Sequence, residues 1–209
     1  MDQLHKKNNL VVKHKEGFAL LMTLIVVGVV LSVGLTILDL SIKQVRLSTN
    51  AVQSEISFHA ANAGAECARY IRRIRAEDMV GGLDLGTVEC FGVEDDSPTR
   101  ELITSDPDDP NDGIITKYTY EIPWLSGKSC TVVNTIVMAA EIGGDGLTIL
   151  NMRDHMPGFP DNDDDGDNDI EVGCQAGSQC TIISVQGFNQ NCQFKNFDGT
   201  VQREVLLQF

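Results

Sequence analysis

Between Phe18 and Leu38 the chain has no charged residue. A charge-free run of 21 residues, FALLMTLIVVGVVLSVGLTIL, excludes an ordinary surface helix, which needs a polar face. As a helix rising about 1.5 Å per residue it reaches roughly 30 Å, the thickness of a bilayer's hydrocarbon core. Proline is missing until Pro98, so no proline forces a helix to end before that point. Cations are scarce after residue 75: 6 Lys and Arg face 25 Asp and Glu, whereas residues 1–75 carry 10 against 5. A body this acidic is repelled by nucleic acid and by anionic lipid, which leaves cations and basic protein surfaces as its charged partners. Catalytic signatures are absent too. There is no G-x-S-x-G, P-loop or H-E-x-x-H, and no CxxC pair that would suggest zinc or thioredoxin-like redox. Of the four histidines, His5 and His14 precede the apolar run, His59 falls on a helical pattern, and only His155 sits in a loop of the body. The residues point to a protein that is not an enzyme.

What is present begins with a basic flank. Lys6, Lys7, Lys13 and Lys15 precede the apolar run, while Lys43 and Arg46 follow it near Asp39. This bias places the N-terminus in the cytoplasm and exports the body. A cleaved secretory signal would have a shorter apolar region and a small-residue cut site, which Leu38-Asp39-Leu40-Ser41 does not supply. Residues 1–17 therefore read as a cytoplasmic leader, and 18–38 as a single membrane span.

The pattern then changes without a break. Leu38, Ile42, Val45, Thr49, Val52, Ile56, Ala60, Ala63, Cys67, Tyr70 and Ile74 recur every three or four residues, one face of a helix. One continuous helix over about 18–75 is expected, with 39–75 as its amphipathic half, and Gly64 as its weak point at about 1 kcal/mol relative to alanine. Gly81, Gly82 and Gly86 end it. Strand candidates follow at Thr87–Phe91, Ile115–Pro123, Cys130–Ala140, Cys180–Gly187 and Thr200–Phe209, rich in Thr, Val, Ile and aromatics. Residues 94–113, with three prolines, read as loop, and so do 151–179. One long helix followed by collected strands predicts an α+β fold, with an antiparallel sheet against the amphipathic half of the helix. Residues 76–209 form the exported body.

All six cysteines lie after the apolar run, and an even count on the exported side suggests disulfides. Six cysteines allow 15 pairings, and the sequence does not choose strictly among them. A Cys67–Cys90 bridge would staple the returning chain to the helix, Cys174–Cys180 would close a small loop, and Cys130–Cys192 would remain.

The most distinctive stretch of the body is DNDDDGDNDIE, Asp161 to Glu171, with seven acids in eleven residues. No Lys or Arg lies between Arg153 and Lys195. Its D-x-D-x-D-G core is a calcium-loop pattern: alternate oxygen ligands converge on one ion, and Gly166 permits the sharp turn. Asp161, Asp163 and Asp165 would be side-chain ligands, Asp167 would offer its carbonyl, and Asp169 would act directly or through water. The closing glutamate of a full EF-hand would fall at Val172, whereas the acid is Glu171, and Pro157 and Pro160 stand where a flanking helix would be. The expectation is a calcium-loop-like turn in a β-rich body, with Glu171 as the closing ligand. The cluster Asp106, Asp108, Asp109, Asn111 and Asp112, interrupted by Pro107 and Pro110, reads as a surface turn.

A leader ending Lys15-Glu16-Gly17, then Phe18 and an apolar helix that turns amphipathic, resembles the type IV pilins. The segment Phe58-His59-Ala60-Ala61-Asn62-Ala63-Gly64-Ala65-Glu66 and the last strands, around Thr181–Asn189 and Val201–Val205, are similar to the PilX-like minor pilins. The resemblance implies that a prepilin peptidase cuts after Gly17, that the new N-terminal Phe18 is methylated, and that the helix leaves the inner membrane for a bundle of other pilin-like subunits. Pilins usually carry glutamate five residues into the mature chain, where this sequence has Met22. Methionine offers no charge to a neighbour's amino terminus, which favours a minor or tip subunit of a pilus or secretion filament over a shaft subunit, with an adhesive role open to the body. The alternative is a single-pass, membrane-anchored exported module that holds calcium and a ligand and does not polymerise.

Overall fold

The computed structural model describes residues 13–95, 98–103, 113–157, 159–160, 170–197 and 199–209. The chain divides into two units, Met1–Ala51 and Val52–Phe209. Helix α1, Lys13–Ile74, belongs to both. It begins inside the stretch read above as leader and ends one residue before the expected limit.

In the first unit every side chain from Phe18 to Ala51 is exposed. The helix here holds its shape by its own backbone ladder. Thr23, Ser32 and Thr36 turn their hydroxyls back to carbonyls three residues earlier, at 2.8 Å each, so they present little polarity outward.

The second unit is an α+β body. After α1 come the short helix α2 (Ala76–Val80) and the hairpin β1 (Val88–Cys90) and β2 (Val93–Asp95). The main sheet follows with β3 (Thr99–Ile103), β4 (Gly113–Trp124) and β5 (Ser129–Ala140). A second hairpin, β6 (Leu147–Ile149) and β7 (Val172–Cys174), encloses the one-turn helix α3 (Met152–His155). Strands β8 (Gln179–Phe188) and β9 (Gln202–Gln208) complete the sheet, in the order β3-β4-β5-β8-β9, every pair antiparallel.

Alternation along the strands builds two cores. Tyr118, Tyr120, Val133, Val137, Ile183 and Val185 point to the α1 side and pack with Ala65, Ala68 and Ile71. Ile115, Ile136, Met138 and Ile182 point to the other side, where Leu147, Ile149, Met152, Met156 and Phe159 cover them. The body is therefore three-layered: α1, sheet, then the β6–β7 hairpin with α3. Fully burying each large apolar side chain is worth about 1.5–3 kcal/mol relative to leaving it exposed.

Three expectations are corrected, the first being that 151–179, read as loop, contains α3 and β7. The stretch 94–113, read as loop, contains β3, an edge strand of which only Ile103 is buried. The expected stripe of α1 is buried only in part, at Ala60 and Cys67, with Ile56 and Ala63 half-buried. Val52, Tyr70 and Ile74 are exposed, and the helix buries Ser57, Ala60, Ala61, Ala65, Cys67, Ala68 and Ile71, with Gly64 among them. A helix lies close against a sheet only where its side chains are small, so close approach selects this stripe over the larger one.

Candidate functional site

The face that joins helix and sheet is built at atomic contact. A Cβ on Gly64 would stand 2.8 Å from Val185 Cγ1, and one on Gly187 would stand 2.9 Å from the Ala61 Cα. Both positions are closed to a side chain without a shift of the neighbours. A glycine inside a strand often marks such a close backbone approach.

Polar side chains then fix the register of α1 on the sheet. The Thr131 hydroxyl donates to the Ala60 carbonyl at 2.7 Å and accepts from Trp124 Nε1 at 2.6 Å. Ser57 donates to the Val201 carbonyl at 2.7 Å. Arg203 donates to Ser54 Oγ through Nε and Nη2, at 3.0 and 2.7 Å. Farther along, Arg72 Nε donates to Thr181 Oγ1 at 3.0 Å, and burial lowers the Arg72 pKa from its ordinary value. The helix from Ser54 to Arg72 is thus tied to β5, β8 and the β9 end of the sheet. Burial pushes the Tyr120 hydroxyl far above the ordinary tyrosine range, and pushes Tyr118 up as well. The Tyr118 hydroxyl donates to the Leu83 carbonyl at 2.9 Å, holding the segment that follows α2. The sequence reading placed Ala60 and Gly64 on the helix but gave none of these residues a docking role. Gly187, inside a strand, was the signal that a helix backbone lies against it.

The structure joins the cysteines as Cys67–Cys90, Cys130–Cys192 and Cys174–Cys180, and none is free. These are the pairs set out from the sequence. Cys67–Cys90 links α1 to β1, Cys130–Cys192 links β5 to the turn after β8, and Cys174–Cys180 links β7 to β8. The grouping of Glu121 with Cys130 and Cys192 does not make a metal site. Its sulfurs are bonded to each other, so no thiolate is offered, and Glu121 is engaged by Lys195.

The expected calcium ligands Asp161, Asp163, Asp165, Asp167 and Asp169 lie outside the described residues, as do Asp106, Asp108, Asp109, Asn111 and Asp112. What is described is the base of the acidic loop. Phe159 and Ile170 are buried on either side of it, the Met152 N–H donates to the Ile170 carbonyl at 2.9 Å, and Ile149 pairs with Val172. The two ends of the loop are therefore held side by side. Glu171 stands exposed next to β7. Gly17 lies in α1, and Phe18 is exposed on it.

Among the described residues one helix, Phe18–Ile74, is long and apolar enough to cross a membrane. Compared with known protein families, curated proteins and solved structures, the chain gives no significant match.

Proposed function

We propose that the chain is a minor or tip pilin-like subunit of a type IV pilus or a related secretion filament, with a structural and not a catalytic role. The observation that supports this best is α1 itself. The helix runs unbroken from an apolar, wholly exposed stretch into a small-residue stripe seated on an antiparallel sheet. Such an element serves two stages: a membrane anchor while the subunit waits, and a bundle element once it is assembled. In lipid the exposed apolar surface is satisfied. In a filament it is satisfied by like helices. The hydrogen bonds between Ser54 and Arg72 fasten the amphipathic half of the helix to the sheet within the body.

The proposal carries the finer readings with it. The body is exported, which suits three disulfides. A prepilin peptidase cuts between Gly17 and Phe18 and the new amino terminus is methylated. Met22 leaves the helix without the charge that would pair with a subunit ahead of it. The acidic loop, closed at its base, holds calcium through Asp161, Asp163, Asp165, Asp167, Asp169 and Glu171.

Intact-mass and N-terminal mass spectrometry of the protein from its native membrane tests the reading. A chain beginning at N-methylated Phe18 is expected. A chain beginning at Met1 or beyond Leu38 rejects it, and one beginning at Met1 leaves the non-polymerising, calcium-holding anchored module, which the closed base of the acidic loop favours on its own.

A further inference from the structure

Phe91 and Leu125 are large apolar residues at turn tips, 75% and 67% exposed. Both have left-handed backbones, with φ of 52° and 51°. Bulky residues rarely adopt this region, which is left to Gly, Asn and Asp. In the β1–β2 hairpin, Phe91 and Gly92 both have positive φ, the pattern of a type I′ turn, where the first residue is typically Asn, Asp or Gly. At the end of β4, Leu125 opens a run of three positive-φ residues with Ser126 and Gly127. Two turns thus hold a strained backbone in order to present an apolar side chain to water. Strain of this kind collects at functional sites.

The two tips form one surface. The rings of Phe91 and Trp124 lie 6.1 Å apart, and Leu125 is the next residue in the chain. Beside Phe91 opens a groove of about 810 Å³ with Tyr70 and Ile74 on its wall. Its rim is acidic: Glu66, Glu89 and Glu94. Glu66 is engaged by Arg69, and Arg75, the cation of the groove, by Asp78. Glu89 and Glu94 are direct cross-strand partners, and neither has an ion pair among the described residues. Like charges in that relation repel.

We propose that Phe91, Trp124, Leu125 and this groove dock a partner polypeptide whose apolar segment carries an arginine or lysine beside it. The apolar tips and wall take the partner's apolar side chains, and the cation settles between Glu89 and Glu94, where it removes their repulsion. The acids select this occupant over an anionic membrane, which they repel. The surface does not depend on the filament reading, because a chain that keeps its N-terminus at Met1 presents it unchanged.

Trp124 is the chain's sole tryptophan, so its emission reports on this surface directly. The full chain in non-ionic amphipol is titrated with a Trp-free helical peptide of leucine and arginine, with its leucine and glutamate counterpart, and with phosphatidylcholine vesicles. The expected result is a saturable blue shift with the arginine peptide. The Kd should rise at least tenfold in Phe91→Asn and in the double variant Glu89→Gln/Glu94→Gln. It should be unchanged in Phe209→Ser, an exposed aromatic at the opposite end of the sheet. Asparagine suits the left-handed backbone, so Phe91→Asn should melt no lower than the wild type, which separates lost binding from lost folding. No shift with the arginine peptide, an equal shift with the glutamate peptide, a shift with vesicles alone, or wild-type affinity in Phe91→Asn overturns the proposal.

Discussion

Gly187 of β8 lies against Ala61 of α1 so closely that a Cβ on the glycine would stand 2.9 Å from the Ala61 Cα. The obstacle is backbone, which cannot rotate aside. Gly187→Ala should therefore lift the helix from the sheet and destabilise the body by about 1–3 kcal/mol, lowering its melting temperature by roughly 2–4 °C per kcal/mol. Gly64→Ala meets the side chains of Thr131 and Val185 and regains about 1 kcal/mol of helix propensity, so its loss should be smaller. Thermal melts of the two variants check the order. A Gly187→Ala protein as stable as the wild type would mean that α1 does not seat on β8.

The three disulfides close chain segments of different length, with sequence separations of 62 for Cys130–Cys192, 23 for Cys67–Cys90 and 6 for Cys174–Cys180. In the chain-entropy account they stabilise by about 4, about 3 and about 2 kcal/mol respectively. Paired Cys→Ser variants unfolded in guanidinium should follow that order. Cys67→Ser/Cys90→Ser should also release β1 from α1 and so speed amide exchange in the hairpin ahead of the main sheet.

The long strands were legible because β4, β5 and β8 are rich in β-branched and aromatic residues and buried on alternate faces. β3 was not, since Thr99-Arg100-Glu101-Leu102-Ile103 lies at an edge, buries a single residue and follows Pro98. The hairpin β6–β7 escaped because each strand has three residues and the partners are separated by the acidic stretch. The helix was legible as a helix, but its working face only in part, at Ala60 and Cys67. Periodicity weighted Val52, Tyr70 and Ile74, whereas docking depends on closeness and selects Gly64, Ala61 and Ser57. Phe91 and Leu125 gave no signal, because only the backbone angle distinguishes a strained apolar tip from an ordinary exposed residue.

Alkali should unfold the body through its tyrosines. Burial raises the pKa of Tyr120, and of Tyr118, above the value of 10.0 each has in the unfolded chain. A raised acid pKa means that above pH 10 the unfolded state binds fewer protons than the folded one. The stabilisation is full below pH 10 and is lost as pH rises past it. Spectrophotometric titration near 295 nm should show Tyr118 and Tyr120 ionising together with the loss of circular dichroism. Tyr120→Phe should move that transition to higher pH. Reversible ionisation of Tyr118 and Tyr120 at constant ellipticity would contradict this packing.

Calcium should stabilise the body if the acidic loop is its site. The loop's flanks are already joined by the Met152–Ile170 hydrogen bond and the β6–β7 pairing, so the expected ligands are carried between two fixed points. Seven carboxylates without a cation repel one another, and a bound divalent ion reverses that term. At a calcium concentration about 100 times Kd the gain is about 2.7 kcal/mol, a rise of roughly 5–10 °C in melting temperature that a chelator should remove. Asp163→Asn/Asp165→Asn should abolish the response and raise the calcium-free melting temperature slightly, since it also removes repulsion. Glu171→Gln should weaken the affinity without abolishing it, because its exposed position beside β7 suits a closing ligand and not the centre of the shell. Differential scanning calorimetry with and without calcium decides the matter: an unchanged melting temperature at millimolar calcium, in a chain with an intact Cys174–Cys180 bridge, leaves the loop as a solvated acidic turn.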